Sequence, residues 1–480
     1  MDNLKEKTAK SIAWSAVNNG TVQVLNLVFG IVLARRLSES DYGILALLTI
    51  FTSLAVCIQA AGFSQALANL RTPSRRDYSA VFWFNTMAGF SMYAVLFLAA
   101  PLIAAFFRLP VLTDVSRLTF LCIPVSAMGI VPNAKLWIEL RNRELAIAAI
   151  TPLSVSGCVG ILLAYNDYGY WSLAWQQLLF IGLSCIMKWL FTRWRPLLPI
   201  DLSPIRQMLR FSSKLLLTNM LTVVSQNVLT FIFSKMLPIG TVGQWSQANK
   251  WNTMGSSLIS NTMQQVAQPV LTKASEEAGG EAGGRQMRVF RKMLRFTSFV
   301  SFPLMLGLAL VAREFIVITI GEKWLPCVPL LQVLCVGGAF LPLHTLYQNF
   351  VISRGRSDLY LRCIVLMIVL QILLTLSLAP HGVLAMVTAF SVLNAAFTLC
   401  WHFALRRVAV LTLWSALSDT MPFLAVAVAV MAATYALTLW TDSPVLLLCM
   451  RIIIASLLYL GAMRLLHAKV LEECIGFLRR

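Results

Sequence analysis

The 480-residue sequence predicts an all-α polytopic membrane protein with about fourteen transmembrane helices. Three observations carry that reading. Hydrophobic residues make up 58% of the chain and charged residues only 12%, and the mean hydropathy is +0.75, well beyond what a water-soluble fold tolerates. Apolar runs of about twenty residues recur along the chain, each long enough to cross a hydrocarbon core. Lys and Arg gather in alternate loops, as short cytoplasmic loops require.

Taken in order, the N-terminal MDNLKEKTAK is charged and leads into a first helix at 11–34, too long for a signal-peptide core and without an A-x-A cleavage site. Apolar spans follow at 42–68, 78–107, 116–134, 145–165 and 170–192. The proline-bearing basic stretch FTRWRPLLPIDLSPIRQMLRF then reads as a cytoplasmic crossing that ends in an interfacial helix. Six further spans lie at 211–234, 243–270, 293–319, 326–352, 359–379 and 383–405, and two more at 421–440 and 443–465. With the N-terminus inside, about 30 of the 39 basic residues fall on the cytoplasmic side, and the opposite topology inverts that ratio. Both termini are therefore expected in the cytoplasm. The net charge of +19 is explained by this bias and by anionic lipid headgroups, so no nucleic-acid partner is implied.

An internal repeat organises the spans. ARRLSESDYG at 34–43 aligns with SKMLPIGTVG 200 positions on, placing Arg35 over Lys235 and Gly43 over Gly243. LTFLCI at 118–123 falls on LQVLCV at 331–336, an offset of 213 that sets Arg141 and Arg143 over Arg354 and Arg356. A Gly-rich insert, KASEEAGGEAGGR, accounts for the change of offset and reads as a flexible loop. Six helices per repeat is an even number, so both halves enter the membrane in the same sense. The expected organisation is an N-lobe at 1–195, a linker at 196–210, a C-lobe at 211–405, and two peripheral helices with a cytoplasmic tail at 406–480. Two pseudo-twofold-related lobes imply a cleft of the kind that secondary transporters use for alternating access.

Amides then mark three helix faces. At 100° per residue, Ser15, Asn18, Asn19, Gln23, Asn26 and Gly30 share an arc of about 140° on helix 1. Thr218, Asn219, Gln226 and Thr230 share a face of helix 7, and Gln247, Lys250, Ser257, Asn261, Gln264, Gln265 and Gln268 share one on helix 8. Trp245, Ile259, Met263 and Val266 point the other way. Such amides serve either as contacts between helices, worth about 0.6 kcal/mol each, or as the wall of a hydrated cavity. Their concentration beside the expected lobe boundary favours the cavity, and amides suit hydroxyl-rich ligands such as sugars. Every Asp and Glu reads as lying in a loop or at a helix end, whereas Lys250 and Arg451 lie within spans. A cation without a carboxylate prefers an anionic ligand, phosphate included, unless Lys250 merely snorkels to the membrane surface. Arg451 lies outside the repeat and reads as a packing or lipid contact. Prolines 124, 132, 269, 303 and 342 are candidate kinks.

The residues resemble a family at several places. LKEKTAKSIAW, LARRLSESDYGILAL, FWFN at 82–85 and GEKWLPCVPLLQVLCVGG at 321–338 are similar to stretches of the polysaccharide flippases of the multidrug/oligosaccharidyl-lipid/polysaccharide exporter superfamily, in the lipopolysaccharide and colanic-acid branch. The resemblance spans most of residues 1–405. It implies transport of a polyprenyl-pyrophosphate-linked oligosaccharide across a bacterial inner membrane, with membrane lipids and other polysaccharide assembly proteins as partners. It also implies a cationic central cavity, for which Lys250 is the matching residue; helix 2, ILALLTIFTSL, lacks a basic residue there. In the GEKW loop, Trp324 reads as an interfacial anchor, with Glu322 and Lys323 solvated. A cation-coupled multidrug exporter of the same superfamily is the alternative, and it would want carboxylates embedded in the membrane. No nucleophile–base pair, metal-ligand spacing or phosphate loop appears, so neither catalysis nor a cofactor is expected.

Overall fold

The computed structural model describes residues 2–60, 63, 67, 73–198, 200–276, 282–440, 443–466, 468 and 470–473. Among them all regular structure is helical, and two compact units divide at Gly243 and Gln244. The first holds α1 (Asp2–Arg36), α2 (Glu39–Ala60), α3 (Arg75–Phe107), α4 (Leu112–Phe120), α5 (Cys122–Ile138), α6 (Asn142–Tyr165), α7 (Tyr170–Thr192) and α8 (Ser203–Met236). α9 (Ile239–Glu276) starts in it and continues in the second. There follow α10 (Ala282–Leu310), α11 (Ala312–Thr319), α12 (Cys327–Gly338), α13 (Leu341–Ser353), α14 (Ser357–Ser377), α15 (Val383–Arg406), α16 (Leu413–Leu437) and α17 (Pro444–Leu465). The centre of the Gly-rich insert, 277–281, lies outside the described residues.

Among the described residues, thirteen helices are long and apolar enough to cross a membrane. They match thirteen of the fourteen expected spans. The other, α9, has 38 residues, about 57 Å at the helical rise, and misses the test because its amides dilute its hydropathy. Two spans are broken in the middle: α4 and α5 meet at Leu121, with Pro124 in the next turn, and α12 and α13 meet around Phe340, with Pro342 beginning α13. α10 stops at Val311 and α11 restarts the same span.

Local chemistry sets the helix starts. Ser74 caps α3: its hydroxyl accepts from the Asp77 amide, while the Asp77 carboxylate accepts from the Ser74 amide, a reciprocal capping box. Ser38 and Asp41 repeat this exchange at the start of α2. The inter-repeat linker is stitched to the first unit. Trp83 donates to the Leu197 carbonyl at 3.1 Å, the Leu197 amide donates to Ser79 at 3.0 Å, and Arg76 pairs with Asp201. The helix expected at the end of the linker is the first part of α8 itself, which runs unbroken for 34 residues. α8 packs on α2 and α3 and so clusters with the first unit, although the sequence repeat counts it as the opening helix of the second half.

The repeat is visible in backbone detail. Gly43 and Gly243 sit one turn into α2 and α9. A Cβ on Gly43 would collide with the Ile239 carbonyl, and one on Gly243 with the Glu39 carbonyl. The contact is reciprocal, as a twofold relation between the two motifs requires. The turns before α6 and α14 also match: Leu140 and Gly355 both have positive φ, Arg141 and Arg356 follow with nearly the same backbone angles, and each donates to the carbonyl five residues earlier. The matched arginines are thus Arg141 and Arg356. The register here is 215, two residues beyond the 213 expected from sequence.

In the first unit, Leu47, Leu48, Phe107, Leu112 and Phe120 pack α2, α3 and α4 together. The second unit buries Phe290, Phe302, Phe350 and Trp401 completely. Trp324 is also fully buried there, so it is a core residue and not the expected interfacial anchor. α16 packs along α10, and α17 lies against α16 and α11.

Candidate substrate-translocation site

α9 is divided lengthwise by chemistry. Trp245, Ile259 and Met263, expected opposite the amide stripe, are 2%, 7% and 5% exposed and belong to the core of the second unit. Trp251 joins them, its ring edge-on to Phe315 at 5.0 Å. Asn252 closes the same face against Gly338, where a Cβ would collide with its side-chain oxygen. Asn261 and Gln264 are exposed, and Ser257 and Lys250 are partly so. The stripe is therefore the side of α9 that the core of its unit does not use. Gln247, at the edge of the arc, is buried, and neither amide atom has a partner among the described residues. The side chains of Gln265 and Gln268 lie outside the described residues.

Lys250 is held without a counter-ion. Its ammonium lies 5.6 Å from the Trp251 ring centroid, a cation–π contact worth about 0.5–1 kcal/mol at an exposed position, and no described carboxylate pairs with it. The contact steers the side chain but does not neutralise it. An ammonium at membrane depth without an acidic neighbour remains open to an anion.

Within the first unit, Asn19 and Asn26 are exposed on α1, Asn18 and Gln23 are half-buried, and the side chain of Ser15 is outside the described residues. On α8, Gln226 is exposed and Asn219 partly buried. Among the described residues no side-chain hydrogen bond ties Asn19, Gln23, Asn26, Asn219, Gln226 or Asn261 to another residue, and the Asn18 side-chain oxygen is buried without a donor. Neighbouring hydroxyls behave differently: Thr222 donates to the Thr218 carbonyl and Thr262 to that of Leu258, each at 2.9 Å, satisfying themselves on their own helix. The amides are left with free donors and acceptors.

Sequence reasoning overlooked Lys188 and two buried carboxylates, Glu314 and Asp419. Lys188, four residues from the end of α7, lines a cavity of about 340 Å³ with Ser126, Asn133 and Ser184 and has no described ion-pair partner. Its depth within an apolar run was the available signal. Arg451 does not face lipid. It is buried and ion-paired to Glu314 at 2.9 Å, with further donations to the Leu310 carbonyl and Thr438. Asp419, 3% exposed, accepts from Arg291 at 2.5 Å and from Arg295 at 2.6 Å. Carboxylates are thus buried within the helical bundle after all, and each is neutralised by arginine.

The fold and these faces define an all-α polytopic membrane protein of transporter type, repeat-built, with an uncompensated ammonium on an amide-rich helix. The chain belongs to the polysaccharide biosynthesis protein family, whose model matches residues 32–329. It is 24% identical over 364 residues to the lipopolysaccharide biosynthesis protein WzxC of Escherichia coli strain K12, covering 74% of this chain and 72% of that one. It is 23% identical over 362 residues to the teichuronic acid biosynthesis protein TuaB of Bacillus subtilis strain 168, covering 75% and 74%. Among solved structures, the lipid II flippase MurJ in an inward closed conformation superposes with a TM-score of 0.77 at 14% identity, over 96% of this chain and 99% of that one. An inward-facing multidrug resistance MATE family transporter of the MOP superfamily gives 0.65, also at 14% identity, over 81% and 94%. At these identities the structural likenesses establish the fold.

Proposed function

We propose that the protein is a flippase that carries a polyprenyl-pyrophosphate-linked oligosaccharide from the inner to the outer leaflet of a bacterial inner membrane, for surface polysaccharide biosynthesis. The observation that carries this reading is Lys250, an ammonium without a carboxylate partner among the described residues, on the helix face its own unit leaves free. A pyrophosphate headgroup supplies the missing negative charge, and the unpartnered amides of α1, α8 and α9 offer donors and acceptors for sugar hydroxyls. The polyprenyl tail stays in lipid while the two lobes exchange access from one side to the other. Family membership and the WzxC and TuaB relatives support a glycan cargo. The positive-inside bias supports cytoplasmic termini, and enzymes of glycan assembly are the natural partners.

The MATE likeness gives the multidrug alternative a concrete basis. Cation-coupled export wants a carboxylate free to exchange its ion, whereas Glu314 and Asp419 are both engaged by arginine. Deletion of the gene separates the readings. Lipid-linked oligosaccharide is expected to accumulate and surface polysaccharide to disappear, with cationic-dye efflux unchanged. Retained polysaccharide with lost dye efflux contradicts the proposal.

A further inference from the structure

Three stretches far apart in the chain meet at one end of the first unit: the start of α3, the last turn of α5 and the residues just past α7. They enclose a cavity of about 530 Å³. Four cations line it, Arg75, Lys135, Arg193 and Arg195, against one carboxylate, Glu139. That carboxylate is loosely shared, 3.9 Å from Lys135 and 3.7 Å from Arg141, and Arg141 is itself occupied by Glu144 and the Phe191 carbonyl. Positive charge in the cavity is therefore left largely unanswered. Charges kept inside by topology alone need only lie in the loops; these converge on one hollow.

Trp194 supplies an independent sign of a ligand. It also lines the cavity, is 6% exposed, and is fixed by Phe82 and Trp189 with ring centroids 5.7 Å away. Its indole N–H has no acceptor among the described residues. A buried donor left unmade costs about 1–3 kcal/mol, so it is expected to meet an acceptor. The residue before Trp194, Arg193, caps α7 at φ 46°, a left-handed conformation that a side-chain-bearing residue adopts at a cost. Trp83, Trp189 and Tyr78 lie beside the cavity or its wall, the amphipathic rings expected at headgroup depth.

We propose that this cavity binds the phosphate of a lipid headgroup at the membrane surface, separately from the amide faces. Arginine forks and an indole donor match phosphate oxygens, and the aromatic wall accommodates the adjoining glycerol or first isoprene unit. A bilayer phospholipid and a pyrophosphate-linked carrier share this chemistry. The carrier source rests on the flippase reading; the phospholipid source does not.

The test uses the purified full-length chain in mixed micelles, titrated with phosphatidylglycerol or phosphatidylcholine, with inorganic pyrophosphate as competitor. Wild type is expected to bind phosphatidylglycerol at least about tenfold more tightly than does an Arg193→Gln/Arg195→Gln variant, and phosphatidylcholine weakly in both. Lys135→Gln, at a partly exposed position, is expected to lose binding in the same direction and guards against misfolding of the double variant. Competition by pyrophosphate assigns recognition to the phosphate itself, so the carrier also qualifies; its failure assigns a bilayer lipid. Equal affinity in wild type and both variants, or phosphatidylcholine binding as tightly as phosphatidylglycerol, overturns the proposal. The assay reads no glycan export, so it stands or falls apart from the transport reading.

Discussion

Arg451 and Lys250 are both cations within membrane helices of the second unit, and their surroundings could hardly differ more. Arg451 is enclosed by Glu314, Thr438 and the Leu310 carbonyl, with the Tyr435 ring 5.3 Å away. Among the described residues Lys250 has the Trp251 ring beside it and no carboxylate paired with it. The first is a compensated charge that joins α11, α16 and α17. The second is an uncompensated charge on a face free of its unit's core. Depth in the membrane thus says little about what a cation does; its partners decide.

The contrast is sharpest in stability. Glu314→Leu or Arg451→Leu alone strands a buried charge and is expected to cost about 3–5 kcal/mol in detergent-unfolding experiments, whereas the double substitution recovers most of the loss. A non-additive cycle establishes Arg451 as structural; additive losses would break the comparison. A smaller effect is expected at the repeat contact. Gly43→Val or Gly243→Val drives a side chain into the facing backbone and should lower stability by about 1–3 kcal/mol, read from the same unfolding curves.

The amides sharpen the other half of the comparison. Asn19→Leu and Asn26→Leu remove no described hydrogen bond, so unfolding midpoints should stay within the error of wild type while surface polysaccharide falls several-fold. Loss of roughly 0.6 kcal/mol per amide, with transport intact, would make them contacts between helices instead. The smallest effect concerns Asp201 in the linker. The Ser203 amide and hydroxyl, and then Arg76, hold its carboxyl below the usual carboxylate range. A depressed pKa contributes stability above the ordinary carboxylate pKa, about 4, and that contribution is lost as pH falls through the lowered value. Asp201→Asn should therefore lower stability slightly at neutral pH, flatten the acid limb of the profile and converge with wild type once the carboxyl is protonated.

What could be read in the sequence follows from what each feature depends on. Thirteen spans were legible because bilayer thickness imposes about twenty apolar residues on each. α9 was legible for a different reason: its amides occupy one arc, and Trp245, Ile259 and Met263 the other, so helical period survives where hydropathy fails. The interruptions at Leu121 and Phe340 were signalled only by the candidate kinks at Pro124 and Pro342, and a full break was not legible, since apolar residues run straight through both. Nor was the Glu314 pairing, because the partners stand 137 residues apart and only the fold brings them together. Gln247 fell on the polar arc yet is buried, because it sits at the arc's edge, where a helical wheel cannot say how far a neighbouring helix reaches.

The central claim is that the bare ammonium of Lys250 holds a negatively charged headgroup during translocation. It is tested most directly by reconstituting the protein in proteoliposomes and measuring transfer of a polyprenyl-pyrophosphate-linked oligosaccharide between leaflets. Lys250→Ala is expected to slow transfer about 10- to 100-fold and Lys250→Glu to abolish it, with Lys250→Arg close to wild type and all three folded. Wild-type transfer by the Glu variant would contradict the account.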